Sequence, residues 1–129
     1  MIFGIGIDTI EVSRIANSIA TYGDQFVKRI FSEEEIRYCT RKPHAAQHFA
    51  GRFAAKEAFA KSLGTGIRRG FVWRNVSVAR EYSGRPYIRL LGNMPHLATS
   101  IVGENYTVQL SITHTRLVAE AIVTIESVG

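Results

Sequence analysis

The stretch GRFAAKEAFAKSLGTG, residues 51–66, decides the fold, because its small and aromatic residues predict a helix at the centre of the structure. Phe53 and Ala60 fall on one apolar stripe of this helix, and Glu57 borders the stripe. A carboxylate in that position requires a partner. The simplest partner is Lys61, which follows Glu57 by one turn and would form an ordinary ion pair on an exposed helix.

The Gly-Thr-Gly segment at 64–66 favours a second interpretation, because its bare backbone can approach a phosphate closely. A phosphate site often includes Mg²⁺, which takes one or two carboxylates together with phosphate and water oxygens. Asp8 is the best candidate for a second acid beside Glu57, since it follows an apolar strand predicted at 2–7. The ordinary alternative for Asp8 is a cap for the next helix. The residues alone leave both interpretations open.

The first half of the chain predicts two further helices before the central one. The first has Gly23 as its end or a kink, and its apolar stripe comprises Val12, Ile15, Ile19, Tyr22 and Phe26. Ser32 and Glu35 have the spacing of a capping box, which predicts the start of the second helix. Pro43 then separates this helix from the central one, which we expect at roughly 45–63.

Strand patterns dominate the second half. Residues 71–80 and 86–91 alternate in polarity around a Ser-Gly turn and predict a hairpin. A short helix is expected after Pro95, and the β-branched segments 105–113 and 117–126 predict two more strands. We therefore expect an α+β fold, with helices mainly from the first half packed on an antiparallel sheet.

Length and composition indicate one domain, residues 1–129, with 46% hydrophobic residues and no linker or repeat. The start MIFGIGID has no basic flank and is typical of a strand rather than a signal peptide. The apolar runs are too short to span a bilayer, so we expect no membrane contact. Cys39 is the single cysteine, which excludes an intrachain disulfide and is compatible with a reducing compartment. The expected location is the cytoplasm.

The charge balance favours an anionic partner. Sixteen Lys and Arg residues against eleven Asp and Glu residues give a net charge of +5. Nucleic acid, a phosphate or an acidic protein would each be attracted by this charge. A merely basic soluble protein is equally compatible with it, so the charge alone decides nothing.

Two other chemistries find little support in the residues. His114 has no second His or Cys at metal-ligand spacing, and His44 and His48 lack the glutamate of a zinc motif. No serine lies in the glycine pattern of a nucleophile elbow, which argues against a serine hydrolase. Taken by itself, His114 is an ordinary turn histidine between two predicted strands.

Four stretches, in order along nearly the whole chain, resemble the holo-[acyl-carrier-protein] synthase family of small bacterial phosphopantetheinyl transferases. They are GIGIDTIEVSRI, FAGRFAAKEAFAKSLGTGI, GRPYI and SITHT, and the second is the most specific. The resemblance implies the 4'-phosphopantetheinyl transferase fold. It also implies transfer of the 4'-phosphopantetheine arm of coenzyme A to a serine of apo acyl carrier protein in fatty acid biosynthesis. Adenosine 3',5'-bisphosphate is the second product.

The resemblance assigns roles to the acids and cations of the site. It implies Mg²⁺ held by Asp8 and Glu57, with Lys61 as a further catalytic cation beside the pyrophosphate oxygens. One of the two carboxylates, directly or through a water, would accept the serine proton, and the residues do not decide which. The residues implied near coenzyme A are Arg52, Lys61, Gly66, Pro86 and His114. The candidates for holding the 3'-phosphate are Arg41, Lys42 and His44.

The resemblance further implies a homotrimer with active sites at subunit interfaces. We also expect association because the central helix is apolar around too much of its circumference for one neighbour to cover. Arg14 lies off the apolar stripe of the first helix, directly after Asp8, and the resemblance places this helix against an acidic helix of the carrier. Arg14 is therefore the expected carrier-binding residue.

Two rival functions remain on the sequence. The first is a basic nucleic-acid-binding module, which the charge and scattered aromatic residues would suit, although no RRM, KH or zinc-finger signature is present. The second is a coenzyme A binding protein without catalysis. That interpretation would require loss of a metal-binding acid, and both Asp8 and Glu57 are present. We therefore expect a transferase, with no nucleic acid partner.

Overall fold

The structure is a computed structural model that describes residues 1–67 and 70–128. In chain order these residues form β1 (Ile2–Glu11), α1 (Val12–Tyr22), α2 (Asp24–Ile30), α3 (Glu33–Thr40), α4 (Ala45–Ser62), β2 (Val76–Arg80), β3 (Pro86–Leu90), α5 (Met94–Val102), β4 (Tyr106–His114) and β5 (Val118–Ser127). One turn of 3-10 helix, Trp73–Asn75, precedes β2. The predicted α+β class is confirmed.

The strands form two antiparallel sheets. The larger sheet has the order β1-β5-β4, and the smaller one is the β2-β3 hairpin. The hairpin is confirmed around the predicted Ser-Gly turn, although its first strand begins at Val76, because Trp73–Asn75 form the 3-10 turn. His114 is the last residue of β4, paired with Ala119. The expectation of a turn position for His114 was therefore wrong.

The helix α4 packs across the inner face of the larger sheet at very short range. A Cβ added at Gly6 would lie 1.8 Å from the carbonyl oxygen of Ala58, and one at Gly4 would lie 1.9 Å from that of Ser62. Only glycine leaves room for this contact between two backbones. The two glycines of the GIG segment in β1 thus have a packing role.

The described part of the chain encloses α4 on most of its circumference. Its alanines at 50, 54, 55, 58 and 60 are fully buried, as is Phe59. The larger sheet, α1, α3 and β2 all pack against this helix. The apolar surface of α4 is therefore covered within one subunit, and our expectation that it requires neighbouring subunits was wrong.

The other helix signals are confirmed by the structure. Gly23, at φ 56°, separates α1 from α2 and its N–H donates to the Ile19 carbonyl. Ser32 and Glu35 form both hydrogen bonds of the capping box at the start of α3. The short helix around Pro95 is α5, with proline in its first turn. Among the described residues, none of the helices has the length and apolar character needed to cross a lipid bilayer.

A buried ion pair fixes α3 and α4 to β2. Lys56 Nζ donates to Glu35 Oε1 at 2.8 Å, and both side chains are fully buried. Lys56 also donates to the Trp73 and Val76 carbonyls, while Glu35 Oε2 accepts from the Val78 N–H. Burial lowers the pKa of Lys56, and the Glu35 charge opposes that change. Lys56 therefore has a structural role, although it adjoins Glu57.

Candidate active site

Asp8, Glu57 and Lys61 lie together where β1 crosses α4, and we call them the acid cluster. Asp8 lies on the same face of β1 as Gly4 and Gly6, the face turned toward α4. Lys61 Nζ donates to Asp8 Oδ1 at 3.2 Å and to the Ile7 carbonyl at 2.9 Å. The close strand-helix contact is what brings these side chains together.

The two carboxylates of the acid cluster repel each other. Burial raises the pKa of Glu57, and the Asp8 charge raises it further. Burial also raises the pKa of Asp8, although the hydrogen bond and charge of Lys61 and the charge of Arg14 oppose the rise. Lys61 therefore neutralises only part of the negative charge. A half-buried pair of acids in this state favours an additional cation.

The sequence left two ordinary interpretations of these acids, and the described contacts favour neither. Among residues 1–67 and 70–128, the ion pair of Lys61 is with Asp8 and not with Glu57. The residue before α1 is Glu11, and the start of that helix has no side-chain cap. Asp8 therefore does not cap α1. Glu57 has no ion pair among the described residues and is close enough to Asp8 for that charge to raise its pKa.

A second group of polar residues, which we call the basic cluster, surrounds the ring of Tyr38. The guanidinium of Arg52 lies 4.3 Å from the ring centroid, Lys42 Nζ lies 4.8 Å from it, and the Arg80 guanidinium lies 4.9 Å from it. The cluster also includes His48 and His114. These residues come from α3, the turn after it, α4, β2 and β4.

Arg52 is the most unusual cation of the basic cluster, because it is buried with only 4% of its surface exposed. Its Nε has no hydrogen-bond partner within the described chain, and one terminal nitrogen donates weakly to the His48 carbonyl at 3.5 Å. The four ion pairs of the described residues include none of Lys42, Arg52 and Arg80. A buried cation without a carboxylate favours an anionic ligand.

The two histidines pack against each other beside these cations. The ring centroids of His48 and His114 lie 4.9 Å apart, and the His48 ring also contacts Tyr38 edge-on at 5.9 Å. Burial and, to a smaller extent, the charges of His114, Arg52, Lys42 and Arg80 together lower the pKa of His48 to about 4. The local potential is thus strongly positive.

The structure assigns distinct positions to the other predicted site residues. Pro86 begins β3 opposite Arg80, so it lies beside the basic cluster. Gly66 has a positive φ of 64°, which favours glycine, and an added Cβ would meet nothing within 4 Å. Its backbone is therefore accessible. Of the three basic candidates before α4, Lys42 is the one that contacts Tyr38.

Sequence reasoning missed three members of the basic cluster, namely Tyr38, His48 and Arg80. Arg80 lies far from α4 along the chain and reaches Tyr38 only because β2 packs against α3. No motif spacing could have indicated this contact. The single available signal was the run of basic residues just before α4, which we had noted without its aromatic partner.

The two clusters lie on different sides of α4 within one chain. Asp8 is on β1 and His114 on β4, which are the two outer strands of the β1-β5-β4 sheet. On α4, Arg52 and Glu57 are five positions apart, which places them roughly 140° apart around the helix axis. A ligand that contacts both clusters of the same chain would have to pass around α4.

Arg14 is exposed on α1, close enough to Asp8 for its charge to oppose the rise in that acid's pKa. Asn17 and Thr21 are also exposed, as expected from the apolar stripe. A groove of about 380 Å³ begins at the end of α1 and is lined by Tyr22, Gln25, Phe26, Arg29, Ile30 and Trp73. It contains neither acid and forms a separate apolar surface with a basic edge.

Comparisons with known proteins agree with the fold. A family model of the 4'-phosphopantetheinyl transferase superfamily matches residues 4–113, and the chain belongs to that superfamily. The matched range includes the acid cluster, and the basic cluster except His114.

Three relatives illustrate how close the similarity is. The chain is 46% identical over 126 residues to a holo-[acyl-carrier-protein] synthase of Koribacter versatilis, covering 98% of this chain and 99% of that one. It is 31% identical to the holo-[acyl-carrier-protein] synthase of Neisseria meningitidis, covering 98% and 100% of the two chains with a TM-score of 0.89. For the Bacillus anthracis synthase, solved in complex with CoA (3',5'-ADP), the identity is 34%, both coverages are 99% and the TM-score is 0.80.

Proposed function

We propose that this protein transfers the 4'-phosphopantetheine group of coenzyme A to a serine of apo acyl carrier protein, releasing adenosine 3',5'-bisphosphate, in fatty acid biosynthesis. Membership of the transferase superfamily and full-length similarity to holo-[acyl-carrier-protein] synthases support this function. The observation that carries it is the acid cluster, in which a backbone contact brings two half-buried carboxylates together beside one lysine.

The acid cluster fits a magnesium ion. Burial and the Asp8 charge raise the pKa of Glu57, and a divalent cation between the two acids would offset both effects. No group of three or more His, Cys, Asp and Glu side chains lies together in the described residues. A two-carboxylate site suits Mg²⁺, which completes its coordination with phosphate and water. When bound, Mg²⁺ would neutralise charge that develops on the pyrophosphate oxygens.

The reaction exchanges one phosphorus–oxygen bond for another. The carrier serine oxygen attacks the phosphorus that bears the pantetheine arm, and the bond from this phosphorus to the adenosine bisphosphate breaks. The Asp8 and Glu57 pair accepts the serine proton, directly or through a water. Lys61 donates to Asp8 and lies beside the same region, where its charge stabilises the departing phosphate.

The basic cluster supplies the binding site for the nucleotide half of coenzyme A. Arg52 and His114 face this ligand from α4 and β4, and the Pro86 and Gly66 backbones border it. The unpaired Nε of buried Arg52 supports this assignment, because an anionic ligand would satisfy it. The second substrate, the acyl carrier protein, would bind elsewhere. The apolar groove at the end of α1 and the basic surface remain available for it.

We further propose a homotrimer in which each active site combines the acid cluster of one subunit with the basic cluster of the next. The separation of the two clusters by α4 supports a shared site. The outer face of the larger sheet supports association, because Ile5, Ile7 and Ile122 remain 57%, 54% and 41% exposed there. This sheet face, rather than α4, is the apolar surface available for a neighbouring subunit.

Subunit mixing tests the shared site directly. Glu57→Gln and Arg52→Ala proteins are each expected to be inactive, and light scattering should give a trimer mass for the parent. Refolding the two variants together should restore part of the activity, because some sites then combine an intact acid cluster with an intact basic cluster. A monomer mass, or no recovery in mixtures shown to contain hybrid trimers, would refute the shared-site arrangement.

The acyl carrier protein is proposed to dock on α1. Acyl carrier proteins are acidic, and Arg14 is exposed beside Asp8 with no ion pair to a described residue. The groove that begins at Tyr22, the last residue of α1, offers apolar contacts together with Arg29. A carrier on this surface would present its serine beside the acid cluster.

We also propose a cytoplasmic location.

Incubation of the protein with apo acyl carrier protein, coenzyme A and Mg²⁺ tests the main proposal. Mass spectrometry should record a carrier whose mass has increased by one phosphopantetheine group. The matched controls omit coenzyme A or add a chelator of divalent cations. An unchanged carrier mass together with tight coenzyme A binding would favour the rival function, a coenzyme A binding protein without catalysis.

A further inference from the structure

We propose that Tyr38 is a positioning residue whose ring arranges Arg52, Lys42 and Arg80 into a site for a phosphomonoester dianion of the donor nucleotide. The inference rests on the proposed function, because coenzyme A is the donor that carries such a group, its 3'-phosphate. It adds a role for an aromatic side chain that bears no charge and touches no reacting atom.

The geometry around the ring is the first support. Three cations from three parts of the chain approach one aromatic ring, with centroid distances of 4.3, 4.8 and 4.9 Å. The face of an aromatic ring attracts cations through its quadrupole. Arg80 and Lys42 are exposed, and their long side chains would otherwise sample many rotamers. Contact with Tyr38 restricts them to the neighbourhood of buried Arg52.

The charge of this neighbourhood is the second support. The ion pairs found within residues 1–67 and 70–128 supply no carboxylate to Lys42, Arg52 or Arg80. Mutual repulsion would separate the three cations unless the ring or a ligand held them. Burial is the main cause of the lowered pKa of His48, and the charges of Arg52, Lys42 and Arg80 lower it further. An anion of charge −2 would therefore be held more strongly here than a monoanion.

The chemistry of the cations selects a phosphomonoester. Two guanidinium groups can each donate two hydrogen bonds to phosphate oxygens, and the unpartnered Nε of Arg52 supplies another donor. The pyrophosphate of coenzyme A carries its charge on diester phosphates, whereas the 3'-phosphate is a terminal dianion. The ring-ordered cations should therefore discriminate coenzyme A from dephospho-coenzyme A, which lacks that phosphate.

The test uses binding and kinetics on the intact protein. Calorimetry measures the affinities for adenosine 3',5'-bisphosphate and for adenosine 5'-monophosphate, and steady-state assays measure kcat/KM for coenzyme A and dephospho-coenzyme A. Tyr38→Leu should weaken bisphosphate binding about 10-fold and lower the coenzyme A preference by a similar factor. Tyr38→Phe retains the ring and should stay within about twofold of the parent.

A matched control separates positioning from loss of a packed ring. Tyr106 is half-buried against the core and has no cation over its ring among the described contacts. Tyr106→Leu should therefore lower thermal stability and leave both preferences unchanged. If Tyr38→Leu retained the parent's preference for the 3'-phosphate, the positioning role would be refuted.

A second variant keeps the proposal testable if Tyr38→Leu does not fold. Arg80 is exposed, so Arg80→Ala should fold normally, and it should weaken bisphosphate binding without changing monophosphate binding. Equal affinity of the parent and Arg80→Ala for the bisphosphate would overturn the proposal. If the proposed function were wrong instead, the outcome would be different. The parent would still bind the bisphosphate more tightly than the monophosphate, but the mass of the carrier would not change.

Discussion

The ammonium group of Lys61 lies 3.2 Å from Asp8 Oδ1, although Glu57 precedes Lys61 by one turn of the same helix. The lysine thus connects α4 to β1 rather than to its own helix. It leaves the Glu57 carboxylate without an ion pair in the described residues, beside the negative charge of Asp8. An arrangement of this kind is costly for stability and useful for binding a cation.

Glu57→Gln should abolish most of the transfer activity while the fold remains intact. Glutamine keeps the size of the side chain but removes the negative charge that a magnesium ligand and proton acceptor requires. We expect kcat to fall about 100-fold or more. Glu34→Gln is the matched control, because Glu34 pairs with Arg89 on the surface and lies outside the acid cluster. A near-parent rate for folded Glu57→Gln would contradict the proposed site.

The same substitution should increase stability at neutral pH when divalent cations are absent. The pKa of Glu57 in the folded protein is raised above its ordinary value of 4.5, so the folded state binds the proton more tightly than the unfolded state. Its contribution to stability is therefore present below about pH 4.5 and is lost as the pH rises through the folded pKa. Urea unfolding should find Glu57→Gln more stable than the parent at pH 7.

Two measurements check this interpretation of the pH dependence. The difference in unfolding free energy between variant and parent should disappear at about pH 3, where the carboxyl is protonated in both states. Added Mg²⁺ should stabilise the parent, by about 2.7 kcal/mol at 100 times its Kd, and should have little effect on Glu57→Gln. A stability difference independent of pH would assign the effect to packing instead.

Arg14→Glu should weaken carrier binding without affecting coenzyme A binding. The substitution places a negative charge opposite an acidic partner, and we expect the KM for carrier to rise about 10-fold or more. Arg89→Glu, a charge reversal of the same size on β3, should leave the carrier KM near that of the parent. Kinetics that vary each substrate separately decide the matter: equal damage to both KM values would indicate a defect in folding or assembly.

Gly6→Ala and Gly51→Ala should differ sharply in their effect on stability. At Gly6 the new methyl group would meet the Ala58 carbonyl, a backbone atom that cannot move alone, and we expect a loss of about 1–3 kcal/mol or more. At Gly51 it would meet the Ile112 Cγ2 methyl group at 3.1 Å, and the gain in helix propensity, about 0.5–1 kcal/mol, offsets the crowding. Comparable urea midpoints for the two variants would contradict this account.

Local signals predicted most of the fold. Gly23 and the Ser32–Glu35 capping box act within a few residues, so their positions in the sequence were sufficient to locate the ends of helices. The distribution of the strands over two sheets depends on contacts between distant segments, and alternation of polarity alone does not specify them. Trp73–Asn75 resembled a strand because residues 71–80 alternate in polarity, whereas in the structure it is a 3-10 turn whose Trp73 carbonyl accepts a hydrogen bond from the buried Lys56.

The acid cluster was predictable to a larger extent than the basic cluster. Asp8 and Glu57 each lie in a distinctive sequence context, and oxygen-ligand chemistry requires two acids. The basic cluster depends on a ring in α3, a turn before α4 and the end of β2, which approach each other only in the folded chain. A cation over an aromatic ring leaves no fixed spacing in sequence, so Tyr38 and Arg80 could not be identified from it.

The contact of Gly4 and Gly6 with α4 also makes the dimensions of the acid cluster independent of the volume of the side chains in the core. Because peptide groups touch peptide groups there, the spacing of β1 and α4 next to Asp8 and Glu57 is determined by atomic radii of the main chain. Side chains elsewhere in the interior can change in size without altering that spacing. Core substitutions that raise thermal stability should therefore leave the spacing of β1 and α4 at the acid cluster unchanged.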